Sequence, residues 1–69
     1  MMEPVDFFIG SGMNGIRKAR DAADWLEGNM ANPPLPEPQR WDLFTQGEDD
    51  MYIRFYDEKD SVLFALKWL

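Results

Sequence analysis

Two groups of residues have types and spacing that chemistry uses. The first is Gly10-Ser-Gly-Met-Asn-Gly15, a Gly-x-Gly-x-x-Gly run that follows an apolar segment and opens a helical pattern. Such runs let backbone approach a phosphate closely and aim helix N-terminal N–H groups at the anion. Gly10, Gly12 and Gly15 are therefore a candidate anion-binding turn. The surroundings favour a plainer role. No acidic residue closes the next strand about 20 positions on, prolines intervene, no Gly-Lys-Ser/Thr ending follows, and 69 residues cannot hold a dinucleotide-binding fold. A tight strand-to-helix turn explains the same three glycines.

The second group is aromatic. Strand alternation places Phe8, Phe44, Tyr52 and Tyr56 on one sheet face around Arg54, residue types that anchor protein interfaces and that also stack nucleic-acid bases. Base stacking is the weaker match. The segment Met51-Tyr-Ile-Arg-Phe-Tyr56 lacks the glycines and basic flank of the RNA-recognition octapeptide. Protein contact is the expected use, with self-association or burial under another segment of the chain as the alternatives. Asp42, Glu48, Asp49 and Asp50 lack the alternating ligand spacing of a calcium loop, so no metal site is expected. The chain has no His and no Cys, which removes the commonest general base, the commonest zinc ligands and any disulfide. With no nucleophile–base pair, the sequence does not read as an enzyme, and no cofactor is expected.

The elements that must position these groups follow from periodicity. Val5 to Ile9 reads as a short strand and Ile16 to Glu27 as an amphipathic helix buried along Ile16, Ala19, Ala23 and Leu26, stopped by Gly28-Asn29. Pro33, Pro34, Pro36 and Pro38 make the stretch from 32 to 38 a stiff polyproline-type crossing. Arg40 to Gln46 and Met51 to Tyr56 alternate as two strands of a hairpin turning at Gly47 to Asp50. Asp57 to Asp60 caps a closing helix whose apolar residues, Val62 to Leu69, surround it on all sides. Such a helix is expected in a cleft of this chain or of a partner, and truncating either Phe64 or Leu66 is expected to empty the native state.

Strand, helix, strand, strand, helix is the ferredoxin-like split βαββα plan without its fourth strand, giving a single α+β domain over 1–69. Sheet order 4-1-3-2 then leaves the first strand as a bare edge. Val5, Phe7, Ile9, Trp41, Leu43, Met51, Ile53 and Phe55 face both helices, and the reverse face carries the aromatic group with Asp6 and Asp42.

Thirteen acidic against seven basic residues give a net charge of −6, which disfavours direct nucleic-acid binding. A small core and ten aromatic residues point to oligomerisation, most simply a homodimer. No signal-peptide pattern and no run of about 18 apolar residues is present, so no membrane partner and a cytoplasmic location are expected.

Tyr52 to Trp68, an aromatic strand leading into Asp60-Ser-Val-Leu-Phe-Ala-Leu-Lys-Trp68, resembles the ending of short uncharacterised tailed-phage proteins with an Asp-Ala-x-x-Phe-x-Leu-x-Trp helix. Ser61 stands where that pattern has Ala. The resemblance implies a small protein that binds a host protein in the host cytoplasm and blocks or redirects it. The other function classes are an acidic nucleic-acid mimic, a nucleotide or small-ligand sponge using the glycine turn at an oligomer interface, and a structural oligomer subunit.

Overall fold

The computed structural model of the chain describes residues 3–68; Leu69, assigned above to the closing helix, lies outside them, as do Met1 and Met2. The elements are β1 (Val5–Ser11), α1 (Gly12–Asn29), β2 (Trp41–Gln46), β3 (Asp50–Phe55) and α2 (Glu58–Trp68). Both strand pairings are antiparallel and the sheet order is β1-β3-β2, so the split βαββα plan is realised with three strands. β1 is one edge of the sheet, where the plan would place its fourth strand.

Register explains the core. Val5 and Trp41 both pair with Phe55, and Phe7 and Leu43 both pair with Ile53, which aligns alternate apolar residues of all three strands on one face. Ala22, Leu26 and Met30 from α1 and its end, Trp41, Ile53 and Phe55 from the sheet, and Phe64 from α2 form the buried cluster. Every sheet residue in it belongs to the same face, so both helices lie on that face and the other is open. Leu43, on the outer strand β2, is on the helical side yet remains exposed.

Four expectations are corrected. The periodicity predicts a helix from Ile16, but α1 starts at Gly12 and its buried positions are Gly15, Ala19, Ala22 and Leu26, leaving Ile16 exposed. The cause is Gly15. A Cβ there would lie 2.4 Å from the Gly10 carbonyl carbon, so the helix start rests directly on strand backbone, which rotates the stripe by about one residue. In β1 Ile9 packs against the core with Phe7 as expected, but the strand runs past Ile9 to Ser11, and because the pairing with β3 skips Ile9 between Phe8 and Gly10, Ser11 falls opposite Asp50. The proline segment is not one straight crossing, because the Glu37 N–H donates to the Pro34 carbonyl at 3.1 Å and turns it. Asn32 anchors it: its carboxamide oxygen accepts from the Arg40 and Trp41 N–H groups at 2.7 and 3.1 Å, and its amide donates to the Trp41 carbonyl at 3.0 Å.

The fourth correction concerns α2, which does not lie in a cleft of its own chain. Its inner side offers Asp60, Ser61 and Phe64 to the core, while Val62, Leu63 and Leu66 are 50, 52 and 80% exposed. Asp60 is buried because Arg40 reaches it, donating from Nε at 3.1 Å and from Nη2 at 2.8 Å. The helix N-terminus is capped instead by Asp57, whose carboxylate accepts from the Lys59 N–H at 2.8 Å. Two neighbouring tethers, the ion pair and Phe64, settle which side of an apolar helix is covered.

Candidate functional site

The open sheet face is arranged in rows set by strand register. Asp6 and Asp42 both pair with Arg54, which forms a row of acid, arginine and acid across β1, β3 and β2. Two residues along, Phe8 and Phe44 both pair with Tyr52, a row of three rings. Ser11 and Gln46 both pair with Asp50 and close the face at the hairpin end. All five expected contact residues are thus on one face, with Tyr56 just beyond the end of β3.

The rings touch. Tyr52 stacks on Phe44 with centroids 5.5 Å apart and planes 16° from parallel, and meets Phe8 edge-on at 5.5 Å. Arg54 lies over the Phe44 ring, its guanidinium carbon 4.9 Å from the centroid. It also donates to both Asp6 oxygens, at 2.8 and 3.0 Å. Tyr56 donates its hydroxyl to Asp42 at 2.5 Å, and Ser11 donates to Asp50 at 2.7 Å. Phe8 is 53% and Tyr56 43% exposed. The proline segment therefore does not bury the face; Pro38 and Gln39 flank only its Tyr56–Asp42 end, where they line a shallow depression.

These contacts shift titrations in defined directions. The hydrogen bonds from Arg54 hold the Asp6 carboxyl below its usual 3.8, against a smaller opposing effect of burial. Arg54 is correspondingly raised by its bonds to Asp6. Tyr56 is raised by the hydrogen bond to Asp42, because ionising the phenol would set two anions side by side. For Asp6, the folded-state value lies below the unfolded one, so its contribution to stability is full above pH 3.8 and lost as pH falls through the depressed value. The urea-midpoint difference between wild type and Asp6→Asn is thus expected to be largest near neutrality and to shrink below pH 3.8. An equal difference at both pH values would remove the pairing as its source.

The glycine turn is built differently from a phosphate cradle. Gly12, with φ +63°, already begins α1, and Gly15 is pressed against Gly10. Ser11 stands at the N-cap, yet its hydroxyl goes to Asp50, while the Gly12 N–H donates to the Asp49 carbonyl at 3.3 Å. The acidic hairpin thus occupies the end of the helix that an anion would approach. Among the described residues, no group of three or more His, Cys, Asp or Glu is placed to hold a metal ion. Among the described residues, no helix is long and apolar enough to cross a membrane.

The sequence places Asp6 and Asp42 on this face but gives them no contact role, and it leaves Asp50 to the hairpin loop, although each lies two residues from an aromatic member of the same face. That spacing was the available signal. Comparison with protein-family models, with curated proteins and with solved structures found no match to this chain.

Proposed function

We propose that this chain is a non-catalytic protein-binding module whose contact surface is the open sheet face formed by Phe8, Phe44, Tyr52, Arg54 and Tyr56. In the form suggested by the likeness to tailed-phage proteins, it acts by occupying a host protein's surface, which needs no chemistry. One observation carries the reading: three touching rings and an arginine lie on a sheet face that no helix covers, with Phe8 more than half exposed. Rigid aromatic side chains in a pre-arranged row lose little conformational freedom on binding, which is why such residues dominate interface energetics.

The test is capture of a binding protein from lysate of a bacterial host by the tagged chain, repeated with face variants whose melting temperature is checked. Tyr52→Ala, Phe8→Ala and Tyr56→Ala are each expected to weaken the captured complex by more than about 1 kcal/mol, with little change in melting. Capture that survives all three unchanged would refute this surface.

A second reading, self-association, is favoured by α2, whose Val62, Leu63 and Leu66 form an apolar strip facing solvent. A two-fold pair through this strip is expected to appear as a dimer in sedimentation at about 300 µM and to revert to monomer in Leu66→Glu. A strictly monomeric wild type would exclude it.

A further inference from the structure

We infer that the partner of the open face presents a basic segment, an exposed strand or loop whose arginine or lysine side chains lie on the Phe8–Tyr52–Phe44 row and reach Asp42 and Asp50. This rests on the proposal that the face binds a protein, and adds the chemistry of what it binds.

The charge distribution is the first ground. α1 holds Arg17, Lys18 and Arg20 against Asp21, Asp24 and Glu27, and α2 holds Lys59 and Lys67 against Glu58 and Asp60. Both helices are therefore neutral, and the whole net charge of −6 falls on strands and loops. Among the described residues, the open face and its hairpin carry Asp6, Asp42, Glu48, Asp49 and Asp50, with Arg54 as their single cation. Five acids against one arginine put −4 of the −6 on this face and its hairpin.

The second ground is what those carboxylates are doing. Asp6 is fully engaged by Arg54 through two hydrogen bonds. Asp42 and Asp50 each accept one hydroxyl, from Tyr56 and Ser11, and neither forms an ion pair among the described residues, although Arg54 is the register neighbour of Asp42. An ionised carboxylate has roughly four acceptor positions, so both keep capacity for a guanidinium or ammonium. They stand on either side of the ring row, two residues from Phe44 and from Tyr52 respectively, a step of roughly 6.8 Å along a strand.

The third ground is a precedent within the molecule. Arg54 already stacks on Phe44 while bonding to a carboxylate. An incoming arginine over Tyr52 or Phe8, with its head at Asp50 or Asp42, would repeat that arrangement with groups the fold leaves open. A nucleic acid is disfavoured by sign, and an apolar helix would bury two carboxylates that each hold one hydroxyl but no cation, which costs more than the contact returns.

The test uses the intact chain, isotopically labelled, titrated with synthetic peptides of alternating Arg-Thr and alternating Glu-Thr of equal length. The Arg-Thr peptide is expected to shift amides around Phe8, Phe44, Tyr52, Asp42 and Asp50, and to weaken about tenfold between low and moderate salt. Asp42→Asn and Asp50→Asn, which keep the hydroxyl acceptors and remove the charge, are each expected to weaken it about fivefold, and Tyr52→Ala by a similar factor. Shifts confined to the helices, or equal binding of the Glu-Thr peptide, would overturn the inference. Full dependence on the two aspartates with none on Tyr52 would overturn it too, in favour of plain acidic mimicry. If a captured protein depends on Tyr52 and Phe8 but ignores both amide variants and salt, the binding face stands and the basic partner falls. If it ignores all of them, the binding face itself falls.

Discussion

Phe64→Ala is expected to cost about 3–5 kcal/mol and to leave most of the chain unfolded at room temperature. Phe64 is fully buried and meets Phe55, Phe7, Trp68 and Trp25 at centroid distances of 5.0, 5.4, 6.1 and 6.4 Å. It joins α2 to the sheet and to α1 at once, so its removal leaves a cavity that three elements would have to close together. Chains of this length bury only about 60% of their unfolded surface and have little stability in reserve. The matched control is Leu66→Ala, on the same helix but 80% exposed, which is expected to change stability by no more than about 0.5 kcal/mol. Urea denaturation of both variants is the measurement. Similar losses at 64 and 66 would mean that α2 is rotated from the orientation described here.

Gly15→Ala is expected to be nearly as damaging, by about 3 kcal/mol, although it adds one methyl group and improves helix propensity. The added carbon would lie 2.4 and 2.5 Å from the carbonyl carbon and oxygen of Gly10. Both are backbone atoms, so no side-chain rotation relieves the overlap; α1 would have to lift from the end of β1, opening the packing of Ala19 and Ala22 behind it. Gly28→Ala is the counterpart. Nothing stands within 4 Å of a Cβ there, so the change is expected to stabilise by about 0.5–1 kcal/mol through helix propensity alone. Thermal melts that move in opposite directions for the two alanines would support the close approach. A Gly15→Ala protein as stable as wild type would show that the contact at Gly10 is not maintained.

The same glycine marks how far the residues can be read in one dimension. The order of five elements, the antiparallel hairpin and the membership of each sheet face were legible, because strand alternation and helical spacing are local: Phe8, Phe44, Tyr52 and Arg54 fall on one face by counting in twos. The rotation of α1 was not legible, since Ile16, Ala19, Ala23 and Leu26 form as good a stripe as the one the helix uses. Only the approach of Gly15 to Gly10 chooses between them.

The sequence by itself determined the α+β class, the bare edge at β1 and the gathering of aromatic residues away from the helices. Tertiary structure decided which side of α2 is covered, because a helix apolar all round has no pattern to orient it, and Phe64 with the Arg40–Asp60 pair supplies the orientation. It also decided the chemistry of the open face. Asp6 and Arg54 are 48 positions apart, and whether they neutralise each other depends on strand order and register, which no local period records. Once that pair forms, Asp42 and Asp50 are left as the carboxylates with acceptors to spare beside the three rings.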